Sequence, residues 1–333
     1  MKAVALVSGG LDSALAAKLV QALGIEIVAL NFKTPFCLCD KKTSLGCAHT
    51  AKTVSDNLGI ALKVMNVSEE FFKVLKAPKY GYGSNMNPCI DCRILKFKKA
   101  KTFMQEAGAD FILTGEVLGQ RPMSQHRRAL GLIEKESGLE GLVLRPLSAR
   151  LLPETLPEKK GWVDRNKLLA LSGRSRKAQF DLAHDLGIGD YACPAGGCLL
   201  TDPEFARRIK DLMRREELSL NNVELLKTGR HFRLSENAKL IVGRNEKENS
   251  RIQELAKEQD AVFRPLKLAG PTALARGTLD ADLINTCSRI VLRYCDLNGD
   301  INADIVYNIL PDKQDRTIRV EPVAQAQLEG FRI

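Results

Sequence analysis

Over its first two hundred positions the chain alternates short continuous apolar runs with longer stretches in which apolar residues recur every three or four places. Ala3-Val4-Ala5-Leu6-Val7, Ile25–Leu30, Ala61–Val67, Phe111-Ile112-Leu113 and Leu142-Val143-Leu144 have the length and β-prone content of buried strands. Asp12–Leu23 has helical spacing, Ile90–Ala107 reads as a further helix, and a helical stretch precedes each of the last two strands. Strands that are apolar throughout, separated by helices, predict an α/β fold with a doubly wound, mostly parallel sheet covered on both faces. Helical stretches over Asn166–Asp185 and Asp202–Glu217 then lead away from it. Beyond about residue 220 the pattern changes to short mixed segments punctuated by Gly, Pro and Asn, which predicts a smaller α+β domain. The expected division is a catalytic domain over 1–202, a helical linker over 203–220 and a second domain over 221–333.

A length of 333 residues with 44% hydrophobic content is enough for two cores. No apolar run reaches membrane-spanning length, and a strand beginning at Lys2 leaves no place for a signal peptide, so no membrane association and a cytoplasmic location are expected. Nine cysteines in a reducing compartment are metal ligands, redox thiols or buried small apolar groups more often than disulfides. The net charge of +10 is lopsided. Residues 1–200 hold 28 basic against 19 acidic residues, and the remainder 22 against 21. A polyanionic partner is therefore expected to meet the first domain.

The segment Ser8-Gly9-Gly10-Leu11-Asp12-Ser13 lies between the first strand and the first helix. Its glycines let backbone approach a phosphate, and the helix that follows offers free N–H groups and a positive dipole end. Ser8 and Ser13 add hydroxyls, and Asp12 can hold a Mg2+ ion that bridges phosphates. No Gly-x-x-x-x-Gly-Lys-Ser/Thr segment is present, so this is not the common NTPase phosphate loop. The segment resembles the PP-loop of the ATP pyrophosphatases, enzymes that adenylate a substrate and release pyrophosphate. That resemblance implies an adenine nucleotide alpha hydrolase-like sheet with ATP at the carboxyl ends of its strands. Asn31, Thr114 and Gly115 complete the expected ATP-binding set.

Two further segments narrow the family. Thr114-Gly115-Glu116-Val117-Leu118-Gly119-Gln120 and Arg145-Pro146-Leu147 are similar to stretches of tRNA 4-thiouridine synthetases, and Asn87-Pro88-Cys89-Ile90-Asp91-Cys92 resembles a loop of tRNA 2-thiouridylases and cluster-bearing thiolases. The resemblance spans roughly residues 1–200 and implies an ATP-dependent tRNA sulfurtransferase. Chemistry supplies a reason for these parts. A uracil carbonyl oxygen becomes a leaving group once adenylated, and a sulfur nucleophile must then reach the same carbon. Cys89 opens a helix, a position expected to lower its pKa. With Cys92 and Cys198, or Cys193 in place of Cys198, it could ligate a [4Fe-4S] cluster; a persulfide relay between Cys89 and Cys193 or Cys198 is the rival. Asp12, Cys89 and Cys198 are thus the expected catalytic residues. Cys37, Cys39, Cys47 and His49 offer four soft ligands within thirteen residues for Zn2+. Cys287 and Cys295 share an apolar helical face and are expected in a core.

Arg174, Arg176 and Lys177 are the expected RNA contacts, since arginine forks suit phosphodiesters. Neither the amino-terminal RNA-binding domains of 4-thiouridine synthetases nor a rhodanese-like domain is recognisable. A separate sulfur donor is therefore expected, a cysteine desulfurase or inorganic sulfide. Ile241-Val242-Gly243-Arg244-Asn245-Glu246-Lys247-Glu248-Asn249 resembles a segment of the RNA-binding module of the NFACT family. The second domain is accordingly expected to bind RNA, to form a homodimer or to act as a scaffold. Two other readings remain at this level: adenylation of a small molecule for attack by ammonia or an amino acid, and a non-catalytic RNA-binding scaffold.

Overall fold

The computed structural model describes residues 1–38, 46–189, 197–297, 299, 301–312 and 314–333, with backbone alone at 46 and 47. The chain forms two compact units, Met1–Asp202 and Pro203–Ile333.

In the first unit β1 (Lys2–Leu6), β2 (Glu26–Lys33), β3 (Ala61–Asn66), β4 (Phe111–Thr114) and β5 (Val143–Leu144) form one parallel sheet in the order β3-β2-β1-β4-β5. Leu6 stands in register with Leu30 on one side and Thr114 on the other, so β1 and β4 end together while β2 runs on to Lys33. Because successive side chains point to opposite faces, Ala3 and Ala5 enter one core with Leu15 and Val20 of α1 (Leu11–Gln21) and Val54 of α2 (Gly46–Leu58). Val4 enters the other core. There it meets Phe97 and Met104 of α4 (Cys89–Glu106) and Ile133 of α5 (Arg127–Ser137); α3 (Ser68–Lys76) lies between β3 and α4 in the chain. Connections from the adjacent strands β1 and β4 thus leave toward opposite faces. That divergence opens a crevice at the carboxyl end of the sheet, where such folds take their ligands.

The doubly wound sheet matches the pattern of apolar runs. The long helix expected over Asn166–Asp185 does not form as one piece. A 3₁₀ turn at Arg165–Lys167 is followed by an extended strip in which Leu169 and Leu171 donate backbone hydrogen bonds to Pro146 and Leu147 (2.9 and 2.8 Å). Only then does α6 (Lys177–Asp185) begin, after Gly173 at φ +86°. Backbone pairing with the stretch after β5 outweighs local helical spacing here.

The second unit carries α7 (Pro203–Arg215), α8 (Leu220–Leu226), α9 (Glu246–Glu254), α10 (Ala281–Leu292) and α11 (Gln325–Phe331). Its strands are β6 (Arg230–Ser235), β7 (Ala238–Val242), β8 (Ala261–Pro265), β9 (Ala273–Gly277), β10 (Ala303–Ile309) and β11 (Arg316–Val320), antiparallel in the order β11-β10-β8-β9-β7-β6. One sheet face packs Phe232, Leu240 and Phe263 against Ile290 and Val291, and the other packs Ile241 and Leu274 against Ile252 and Leu225. Cys287 and Cys295 are buried in the first of these cores.

Pro203–Arg215, within the stretch expected as a linker, is tied to this sheet by charge. Glu216, just beyond α7, accepts from the buried Lys239 of β7 at 2.6 Å and from Arg233 of β6 at 2.9 Å; Arg233 also pairs with Asp211 of α7. Burial pushes the Lys239 ammonium below its ordinary pKa, and Glu216 pulls it back up. Removing one partner of a buried pair strands the other, so Glu216→Ala should cost about 3–5 kcal/mol, whereas Glu216→Leu with Lys239→Met should recover most of it. Denaturant unfolding of the three proteins measures this; equal stability of parent and Glu216→Ala would refute it.

Candidate active site

The loop after β1 is shaped by contacts that leave no room for larger residues. Gly9 sits at φ +76°, and a Cβ there would fall 2.4 Å from Thr50 Oγ1 of α2. A Cβ on Gly115 would fall 2.4 Å from the Asp12 carbonyl carbon, so the turn after β4 lies directly on the PP-loop. Ser13 Oγ donates to the Gly10 carbonyl (2.8 Å) and accepts from Ser8 N (3.3 Å). It therefore closes the loop, while the Ser8 hydroxyl is the more exposed of the two. Leu11 is buried in the core and presents only its backbone. Asn31 is buried and donates to the Val7 carbonyl at 2.8 Å, bracing the loop from β2. Thr114 ends β4 in register with Leu6, and its hydroxyl accepts from Glu116 N at 3.3 Å.

Asp12 is the polar centre. Its Oδ2 accepts from Gln120 Nε2 at 2.8 Å, and Gln120 in turn accepts from Gln179 at 3.4 Å. Its Oδ1 is buried and has no hydrogen-bond partner, as does Asn31 Oδ1. Burial raises the Asp12 pKa above the usual carboxylate range, opposed by the Gln120 hydrogen bond and by the charges of Arg176 and Arg121. Glycines under a shaped loop and an orphaned carboxylate oxygen fit a nucleotide phosphate and its magnesium ion.

The turn after β4 continues from Asp12 toward the cysteines. Glu116 is buried, accepts from Arg145 Nε at 3.0 Å and pairs with Arg93 at 3.4 Å; Arg145 also pairs with Glu134. Arg93 directly follows Cys92 in the first turns of α4, so Glu116 ties the nucleotide end of the sheet to the cysteine helix. Cys89 is half-buried, and Asn87 Nδ2 donates to its Sγ at 2.9 Å. The expected lowering of its pKa is not what the structure gives: burial and the neighbouring Cys92 raise it, against Arg93 and Arg121. Desolvation outweighs the helix-end dipole at this thiol. Burial likewise pushes the Cys198 thiol up to about 12, with smaller contributions from Cys92 and Cys89, which places these three sulfurs within electrostatic reach of one another. The chain around Cys198 is held by two backbone bonds, Leu38 N to Gly197 O (3.1 Å) and Leu199 N to Phe36 O (2.8 Å). They form an isolated antiparallel bridge of Cys37 with Cys198.

The donor types suit an iron–sulfur cluster. Among the described residues no three His, Cys, Asp or Glu side chains converge closely enough to share a metal ion. Cys193 and Cys39 lie outside the described residues, as does the Cys47 side chain. Cys37 is disulfide-bonded and His49 is exposed, so Cys37 brings no thiolate to the expected zinc set. Arg174 and Lys177 are exposed, whereas the half-buried Arg176 caps the start of α6 and acts on Asp12. Arg176 therefore belongs to the nucleotide end. His126 accepts from Ala129 N at 3.2 Å as the cap of α5. Arg93, Arg121, Gln120 and Gln179 were not assigned from the sequence. Only Gln120 carried a signal, being inside the Thr-Gly-Glu stretch.

In the second unit the Val-Gly-Arg-Asn-x-x-x-Asn segment is a structural knot. Asn245 caps α9 by accepting from Glu248 N (3.0 Å), and Asn249 accepts from Thr272 N (3.0 Å). A Cβ on Gly243 would meet Asn249 Oδ1 at 2.1 Å, and Arg244 Nε pairs with Glu248 at 2.9 Å.

Residues 1–133 match the tRNA methyl transferase HUP domain. Residues 229–332 match the NFACT protein RNA binding domain. Both resemblances seen in the sequence, to the PP-loop tRNA thiolation group and to the NFACT module, are borne out. The first unit is 33% identical over 134 residues to tRNA-specific 2-thiouridylase MnmA 1 of Caldanaerobacter subterraneus, covering 37% of each chain. It is also 33% identical over 123 residues to tRNA-specific 2-thiouridylase MnmA of Natranaerobius thermophilus, covering 32% of this chain and 33% of that one. The chain spans about a third of the length of the curated relatives it matches. Among solved structures, a 4-thiouridine synthetase–RNA complex with bound ATP is similar at 23% identity and a TM-score of 0.37, covering 56% of this chain and 51% of that one. No helix among the described residues is long and apolar enough to cross a membrane.

Proposed function

We propose that the protein is an ATP-dependent tRNA sulfurtransferase that adenylates a uridine carbonyl and replaces its oxygen with sulfur. The observation that carries this reading is the coupling, through one turn, of an orphaned carboxylate on the PP-loop to a cysteine loop. Gln120 grips Asp12, and Glu116 fixes Arg93 beside Cys92. In this reading the loop after β1 holds the phosphates, Asp12 Oδ1 holds magnesium, and pyrophosphate leaves as the uridine oxygen joins AMP. Cys89 and Cys198 handle the sulfur: one carries it as a persulfide received from a cysteine desulfurase and bonds its outer sulfur to the base carbon as AMP leaves, and the thiolate of the other then attacks the inner sulfur, freeing the thiouridine and leaving a disulfide that an external thiol reduces. A [4Fe-4S] cluster on Cys89, Cys92 and Cys198 would supply a bound sulfide instead; no step here depends on it. The second unit is proposed to bind RNA, as the name of its matching family implies.

Purified protein given ATP, magnesium, tRNA and a persulfide-generating desulfurase should convert uridine to thiouridine, read by nucleoside mass spectrometry. Consumption of ATP without any thiolated nucleoside would point instead to a small-molecule ligase. RNA binding should weaken steeply with salt. Replacing Arg174 and Lys177 by glutamine should lower the log–log salt slope by roughly 0.7–0.9 for each phosphate that is no longer neutralised. An unchanged slope would move the RNA-binding role to other residues.

A further inference from the structure

The segment Gln120-Arg121-Pro122-Met123 joins the two halves of the proposed site. At one end Gln120 Nε2 donates to Asp12 Oδ2 at 2.8 Å. At the other, Met123 packs so tightly on Gly83 that a Cβ there would fall 1.4 Å from its Sδ. Gly83 N donates to the Asn87 carbonyl (2.9 Å), and the Asn87 side chain donates to Cys89 Sγ (2.9 Å). The turn is fixed from within and below: Gly119 N donates to Gln125 O (2.7 Å), Gln125 N to Arg121 O (3.0 Å), and Leu118 N to the buried Ser148 Oγ (2.9 Å). Arg121 is thereby held between the nucleotide loop and the cysteine loop, with its side chain exposed.

Two further guanidinium groups flank it. Arg93 comes from the cysteine helix and Arg176 from the start of α6, and both act electrostatically on Arg121, as do Asp12 and Cys89. Among these neighbours Arg121 alone acts on both Asp12 and Cys89. Three cations gathered at one site repel one another, and an anion bound among them relieves that repulsion.

Resting on the proposed adenylation, we propose that Arg121 binds the α-phosphate of the nucleotide and of the adenylated substrate. The position selects that phosphate. Pyrophosphate departs from the PP-loop, whereas the α-phosphate stays attached to the reacting base between the nucleotide loop and the cysteine loop, the two loops that the Arg121 segment joins. When the sulfur nucleophile bonds to the base carbon, the carbon–oxygen bond breaks and its electron pair passes to the phosphate oxygen of departing AMP. A guanidinium at that phosphate stabilises the charge as it forms. The same chemistry could be presented by an RNA backbone phosphate, so the two sources are separated by experiment.

The probes are AMP, adenosine and nucleotide-free tRNA, titrated against the full chain and its Arg121→Gln and Arg121→Lys variants. Arg121→Gln should weaken AMP binding at least about tenfold, Arg121→Lys by less, and neither should alter adenosine binding; a tenfold loss corresponds to ~1.4 kcal/mol. Unchanged AMP affinity in Arg121→Gln would overturn the proposal. So would an equal loss of adenosine affinity, which signals a collapsed pocket, or a loss of tRNA affinity with AMP affinity intact, which assigns Arg121 to the RNA backbone. Protein that binds AMP through Arg121 yet forms no thiouridine would remove the thiolation reading and leave this one standing.

Discussion

Asp12→Asn should lose pyrophosphate release from ATP by at least about a hundredfold, ~2.7 kcal/mol in barrier, while folding more stably than the parent at neutral pH. The carboxylate is the group whose Oδ1 is buried without a partner, and the amide keeps its shape while removing its charge. The stability gain follows from the raised pKa. A carboxyl whose folded pKa exceeds its unfolded value opposes folding when ionised. That penalty is complete above the folded pKa and disappears as pH falls below the unfolded value near 3.8. The variant should therefore gain about 0.5–2 kcal/mol at pH 7, the range common for relieving a functional site, and lose its advantage by about pH 3–4. Pyrophosphate assay and urea unfolding across pH test both halves. Wild-type turnover in the variant would refute the PP-loop assignment, and a destabilised variant at pH 7 would refute the electrostatic account.

Cys89→Ser and Cys198→Ser should each reduce thiouridine formation at least about a hundredfold, again ~2.7 kcal/mol, and leave RNA-dependent pyrophosphate release within a few-fold of wild type. In the proposed reaction adenylation needs neither sulfur, whereas sulfur transfer and release need both. Thiolation surviving in either variant would remove that cysteine from the reaction. Iron analysis of anaerobically purified protein then identifies the carrier. Sulfane sulfur on Cys89 or Cys198 without iron marks a persulfide relay, and roughly four irons per chain mark a cluster. Cys287→Ser should alter neither reaction, because its thiol lies in the core of the other unit.

The first unit was legible because its signals are local. Five apolar runs became five strands, and a glycine pair before a helix became a loop that only glycine can form at position 9. What escaped were interactions between distant positions. Nothing near Gln179 reveals that it supports Gln120, or that Arg176 acts on Asp12 rather than lying among surface charges. The raised Cys89 pKa escaped for a related reason: the helix start is visible in the sequence, but the burial that overrides it is a product of the folded chain. The six-stranded sheet of the second unit was the least legible element. Its order depends on two pairings between strands that are not consecutive, β7 with β9 and β8 with β10, and no local pattern announces these, whereas β6–β7, β8–β9 and β10–β11 pair neighbours in the chain.

The asparagine-rich signature of that sheet has a bearing on how it should be used. Gly243, Asn245 and Asn249 meet one another's atoms and the backbone at Glu248 and Thr272. In this chain those letters are therefore engaged in chain folding. Contact with a ligand would then fall to side chains that the knot leaves outside itself, and exchanging the three knotted residues would report on folding before it reported on binding.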